Sequence, residues 1–278
     1  MKTRTFLFAL AAVVFAACAQ SPEEKVKAYD EAHDAMVAEF RTMMDSLSTD
    51  REAAEAFYNE FVEKYIAFNL DAAKENSDNE ISVSALMNLR GLIEDAQVSE
   101  IIAAMSEEML QNEQVVMMKE GLDARAATAE GQMFSDFTVN SVVGQTRSIP
   151  PQPVYADVKL SDYVGKGKYI LLDFWSPWCG PCRREMPNIK AVYDKYQGDK
   201  FDVVSIAVWE RDSVQVTIET AAKLEMTWNQ INNGKREPAS IYGVEGIPHL
   251  ILFGPDGTIL KRGFHGEEIE KVVSEYVK

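Results

Sequence analysis

The chain has 278 residues, 46% of them hydrophobic and 26% charged, a globular composition that excludes a disordered or collagen-like polymer. A net charge of −16 argues against a nucleic-acid binder, which needs a basic footprint, and three cysteines are too few for a disulfide-scaffold protein. No apolar run reaches the ~20 residues that span a bilayer as a helix.

Charge is divided unevenly along the chain. From Ala19 to Glu130, 9 Lys and Arg stand against 25 Asp and Glu; from Gly131 to Lys278 the count is 17 against 19. An acidic half therefore precedes a nearly neutral one, and length also favours two domains. The expected organisation is a signal segment at 1–17, a helical domain at 18–128 and an α/β domain at 129–278.

Lys2 and Arg4 precede an apolar stretch from Thr5 to Ala17, the pattern of a secretory signal. It ends Phe15-Ala16-Ala17-Cys18, which resembles a bacterial lipobox. The resemblance implies cleavage before Cys18, lipid on that cysteine, and a protein tethered in the cell envelope without a transmembrane helix. Outside the cytoplasm, disulfides can form.

The acidic half reads as helices throughout. Ser21-Pro22-Glu23-Glu24 is a start signal, with Ser as N-cap, Pro in the first turn and Glu at the third position. Val26, Tyr29, His33, Met36, Val37, Phe40 and Met43 then recur at helical spacing. Thr49-Asp50-Arg51-Glu52 reads as a second capping box, before a stripe of Phe57, Phe61, Val62 and Tyr65. Shorter helices follow around Leu86–Ile93, Val98–Met109 and Glu107–Ala126. Eight of the twelve Met fall in this half, mostly on apolar stripes. They fit the filling of irregular helical cores better than a soft-metal site. His33, on an apolar face, reads as a half-buried residue rather than a ligand.

After Gly131 the pattern changes. Met133–Val139, Val154–Leu160, Tyr169–Trp175, Phe201–Val208, His249–Phe253 and Ile259–Arg262 read as strands. Arg183–Tyr196, Ser213–Leu224 and Glu267–Val277 read as helices. Alternation of this kind implies a central sheet flanked by helices. The run Tyr169–Trp175 is nearly continuous in apolar residues, as a buried central strand requires. It leads directly into Trp178-Cys179-Gly180-Pro181-Cys182 at a helix start.

That position gives the two cysteines their chemistry. A helix N-terminus stabilises an anion, so Cys179 is the candidate attacking thiolate. Cys182, one turn further in, can resolve a mixed disulfide. Arg183 and Arg184 add positive potential nearby. A zinc site would need a second ligand pair, which the sequence lacks, and haem attachment would need His where Arg183 stands.

The segment Asp173-Phe174-Trp175-Ser176-Pro177-Trp178-Cys179-Gly180-Pro181-Cys182 resembles the thioredoxin active site. With Arg183-Arg184-Glu185-Met186-Pro187 it is similar to the TlpA/ResA branch of extracytoplasmic thioredoxin-like proteins. Gly246-Ile247-Pro248 matches that family's cis-proline loop. The likeness covers about 131–278, and the helical part resembles the N-terminal region of TlpA-like lipoproteins from Bacteroidota. It implies a thioredoxin fold, a redox-active Cys179–Cys182 pair as the only redox centre, no metal, and Asp173 as a buried acid that relays a proton for Cys182. Glu185 matches an active-site Glu of the ResA branch but equally fits a solvated first-turn residue. Pro248 is expected to be cis, the Ile247 backbone and Trp178 to contact substrate, and Pro187 to kink the helix. His249 stands where Thr is commoner, either near the thiolate or facing only the sheet edge, and Ser135 stands where Pro often occurs.

The implied activity is thiol-disulfide exchange on exported disulfide-containing proteins, with apocytochromes c as substrates by analogy. The Gly-Pro dipeptide between the cysteines resembles reducing thioredoxins, which implies a membrane electron donor. An oxidase or isomerase, or a docking scaffold built on the helical domain, are the alternatives. The Pro-x-x-x-Thr-x-x-Cys pattern of a peroxiredoxin is absent.

Overall fold

The computed structural model describes residues 21–149 and 152–278. Cys18 and the signal segment lie outside the described residues. The chain divides into two compact units, one up to Lys119 and one from Glu120.

In the first unit the described residues are helical: α1 (Pro22–Ser46), α2 (Arg51–Glu75), α3 (Glu80–Asn88) and α4 (Asp95–Ala103), followed by α5 (Glu113–Ala127), which crosses into the second unit. The Ser21 hydroxyl accepts from Glu24 N–H while the Glu24 carboxylate accepts from Ser21 N–H, the expected capping box. In α2 the cap is Asp50, whose carboxylate accepts from Ala53 N–H, and not Thr49. Leu47, Phe57 and Phe61 form a core with Phe40, Met36, Met43 and Met44 against it. A polar group joins three helices: Tyr29 donates to Asn69 Oδ1 at 2.7 Å, and Asn88 Nδ2 donates to Tyr29 Oη at 3.0 Å. His33 is half-buried and bonded to Tyr65 Oη at 2.9 Å.

The second unit is mixed α/β. β1 (Thr138–Gln145) and β2 (Pro153–Lys159) form an antiparallel hairpin. The main sheet has β3 (Tyr169–Trp175), β4 (Phe201–Ala207), β5 (Asn229–Ile231), β6 (His249–Phe253) and β7 (Ile259–Arg262) in the order β5-β4-β3-β6-β7. β4 and β5 run parallel to their inner neighbours; β6 and β7 are antiparallel to theirs. Helices α6 (Gly180–Tyr196), α7 (Val214–Lys223), α8 (Glu237–Ile241) and α9 (Glu268–Tyr276) complete it. The first of the expected strands starts later than its apolar residues suggest, because Met133 makes only an isolated bridge to Thr258. Phe134 lies so close to Gly257, at φ +94°, that an added Cβ there would stand 2.6 Å from its ring.

Side chains of β3 alternate between two cores. Leu171 and Trp175 point to one that contains Cys179, Cys182, Met186 and Ile189 of α6 and Ile269 and Val273 of α9. Ile170, Leu172 and Phe174 point to the other, with Phe137, Val139, Ala239 and Tyr242. The last turns of α5 belong with this unit: Arg125 pairs with Glu245 at 3.0 Å, and Thr128 is buried beneath Arg262. The division of the chain thus falls inside α5, earlier than the change of composition at Gly131.

Candidate active site

β3 ends at Trp175, and four residues later Cys179 caps α6. The chain turns through Ser176 and Pro177, and Cys179 N–H donates to Ser176 O at 3.0 Å. Cys179 Sγ accepts from the Cys182 backbone N–H at 3.1 Å, so one orphan donor of the first helical turn is spent on this sulfur. The two cysteines are joined as a disulfide with Cα atoms 5.3 Å apart. Cys182 is fully buried and Cys179 nearly so. Pro181 sits in the first turn, where a missing N–H costs nothing. Pro187 lies inside α6, which runs unbroken to Tyr196.

The peptide bond before Pro248 is cis. Its loop brings Ile247 O to 3.6 Å from Cys179 Sγ. Trp178 stands beside the disulfide, 38% exposed. Its indole N–H donates to Trp209 O at 2.9 Å, and the Arg211 guanidinium lies 3.8 Å over its ring. Trp209 has φ +51°, and its N–H is held by Lys235 O at 2.8 Å. Gly234 admits this close approach, since a Cβ there would lie 2.5 Å from Ala207 O.

Asp173 projects to the same side of β3 as Leu171 and Trp175, toward the core that holds both cysteines. It is completely buried. Ser205, its register partner on β4, donates to Oδ2 at 2.8 Å, and Trp228 Nε1 donates to Ser205 Oγ at 2.8 Å. Oδ1 has no hydrogen-bond partner among the described residues. Burial pushes the Asp173 carboxyl up to about 7, against the Ser205 bond that lowers it, and the nearby Glu185 carboxylate adds to the rise. A group at that value can hold or release a proton near neutrality.

Glu185 lies in α6, half-buried. Its Oε1 accepts from Asn188 Nδ2 at 2.8 Å and from Gly266 N–H at 3.0 Å, which ties α6 to the loop before α9. The side chain is anchored, though partly exposed, and its charge acts on Asp173.

His249 goes to the other face. Its ring meets Phe174 edge-on and accepts from Arg262 Nη2 at 3.3 Å. Burial, with help from Arg262 and His265, lowers it to about 4, so it is neutral. It belongs to the core opposite Cys179 and Cys182, and the alternative in which it tunes the thiolate is set aside. Ser135 also has a reason to replace Pro: its N–H donates to Tyr242 Oη at 3.1 Å, and Tyr242 donates back to Ser135 O at 2.8 Å.

Sequence reasoning missed Ser205, which donates to Asp173, Trp228, which donates to Ser205, and Trp209 and Arg211, which hold Trp178. A signal for Ser205 existed: Asp173 and Ser205 are the fifth residues of two seven-residue parallel strands.

A cysteine pair capping a helix, a cis-proline loop beside it and a buried acid beneath, on this sheet, define a thioredoxin-like thiol-disulfide oxidoreductase. Residues 131–262 match the AhpC/TSA family. The chain is 27% identical over 122 residues to the thiol-disulfide oxidoreductase ResA of Bacillus thuringiensis, covering 44% of this chain and 67% of that one. It is 28% identical over 138 residues to ResA of Geobacillus thermodenitrificans, covering 49% and 70%. The fold is similar to the thioredoxin domain of a thiol-disulfide oxidoreductase from Bacteroides vulgatus, at 24% identity and TM-score 0.45, covering 54% of this chain and 99% of that one. Among the described residues no helix is long and apolar enough to cross a membrane.

Proposed function

We propose that the protein is an envelope lipoprotein, held by lipid on Cys18, that reduces disulfides of exported proteins. The observation that carries the redox part is the coupling of two features at one helix end: Cys179 as N-cap of α6, and the buried Asp173 on the same side of β3 with a proton affinity near neutrality.

In the reducing direction the Cys179 thiolate attacks one sulfur of a substrate disulfide. A Cys179–substrate disulfide forms and the other substrate sulfur leaves as a thiolate, which takes up a proton. Cys182 then loses its proton to the ionised Asp173, and its thiolate attacks Cys179 Sγ. The second substrate thiolate departs, and two electrons have passed from the dithiol to the substrate. Trp178 and the Ile247 backbone border the sulfur and hold the substrate chain. Glu185 positions α6 and keeps Asp173 basic. A membrane electron donor restores the Cys179–Cys182 dithiol by passing two electrons to the disulfide. Exported apocytochromes c fit this role by likeness to the ResA branch.

The test is reduction of insulin by dithiothreitol. Acceleration by the protein, lost by several orders of magnitude in Cys179→Ser, is expected. Cys182→Ser should accumulate a mixed disulfide with substrate. No acceleration, with none lost on Cys179→Ser, would favour a scaffold.

A further inference from the structure

The chain carries a net charge of −16, yet its reactive loop is bordered by cations. The Arg211 guanidinium covers the ring of Trp178, the residue before Cys179. At the residue after Cys179, a methyl group built on Gly180 would stand 3.6 Å from Arg184 Nη1. Both arginines are exposed, and among the described residues neither is engaged in an ion pair. Two acids adjoin Arg211 in sequence, Glu210 and the exposed Asp212, and among the described residues neither forms an ion pair with it. Glu210 is turned inward, accepting from Thr217 Oγ1 at 2.9 Å and Asn233 N–H at 3.1 Å. That inward anchor, with the left-handed backbone at Trp209, Asn233 and Lys235, fixes the loop from which Arg211 reaches over the indole.

Two guanidinium groups without an ion pair thus border the reactive loop, one over the Trp178 ring and one beside Gly180, the residues before and after Cys179. We infer that they form a subsite for carboxylates, and that the preferred substrate is a polypeptide disulfide with Asp or Glu close to the reacting cysteine. This rests on the thiol-disulfide exchange proposed above and names its substrate class. An extended chain advances about 3.3 Å per residue, so acids within two or three residues of the attacked sulfur would reach the two arginines. A planar guanidinium already held against an aromatic ring loses less freedom on binding a carboxylate than a free lysine would. The pairs are solvent-exposed, so each contributes modestly and is weakened by salt.

The experiment compares two synthetic peptide disulfides of equal length, one with Glu and one with Gln flanking the cysteine, using the whole protein. The expected kcat/KM is about three- to tenfold higher for the Glu peptide at low salt. The difference lies in KM, and it shrinks at 0.5 M salt. In Arg184→Gln/Arg211→Gln the ratio falls to about one. Equal values for the two peptides in the wild type, or a preference that persists in the double variant, would overturn the inference. So would a loss shared equally by both peptides with a shifted pH profile, which would make the arginines tuners of the thiolate. Absence of turnover on either peptide and on hydroxyethyl disulfide would instead refute the redox reading beneath it.

Discussion

On one face of β3, Asp173 is fully buried with a single hydrogen bond to one oxygen and none to the other among the described residues. On the opposite face, Arg262 is half-buried, and its terminal nitrogens are matched. Nη1 donates to Thr128 O and Oγ1 at 2.8 Å, and Nη2 to Tyr242 O at 2.8 Å and His249 Nε2 at 3.3 Å. Both arrangements hold an ionisable side chain of the same unit by hydrogen bonds. The first leaves it poised to exchange a proton; the second fixes it in one charge state. Incomplete satisfaction on the face of the cysteines belongs to chemistry, and matched donors on the opposite face belong to stability.

Asp173→Asn should expose this difference most strongly. The native carboxyl keeps its proton to about 7, while the unfolded one releases it near 3.8. The native state therefore binds more protons in that window, and wild-type stability falls as pH rises from about 4 through about 7, by on the order of 4 kcal/mol. Denaturant unfolding of the oxidised protein at pH 5 and pH 8 should show that slope in the wild type and a flatter one in the variant. Reduction of insulin by the variant should also be slower and lose its inflection near neutrality.

Arg262→Ala probes the other face. It removes a cation and strands buried acceptors at Thr128 and Tyr242, which should cost about 3 kcal/mol. The Cys179–Cys182 potential should not move. A shift in potential with unchanged unfolding would erase the contrast between the two faces.

His249→Gln is a smaller test. His249 is held at about 4 in the native state against 6.5 when unfolded. Wild-type stability should therefore fall as pH drops from about 6.5 through about 4, by roughly 2 kcal/mol after allowance for solvent screening. The variant should lack that acid-side loss. Trp178→Phe should have the least effect: it loses the bond to Trp209 O and weakens the Arg211 stack, raising KM for peptide disulfides about threefold.

Local features were the most legible. β3 could be read residue for residue from its apolar run, because a central strand is buried on both faces. The Cys179–Cys182 pair was legible from its spacing at a helix start, and the cis Pro248 from the resemblance of its loop. Three-residue β5 and five-residue α8 carry too little periodicity to be seen. The Asp50 cap fell one residue from the Thr49 expected, within the usual uncertainty of helix ends. Ser205 and Arg262 lie far along the chain from Asp173 and His249, and strand pairing brings them together. The division within α5 was hidden for the same reason: charge changes at Gly131, but Thr128 is already packed under Arg262.

The direction of exchange proposed for the Cys179–Cys182 pair is read from its reduction potential. Equilibration of the protein against dithiothreitol and glutathione buffers should give a value at or below about −250 mV, in the range of reducing thioredoxins. A value of about −120 to −180 mV would contradict the proposed direction and make the protein an oxidase or isomerase of disulfides.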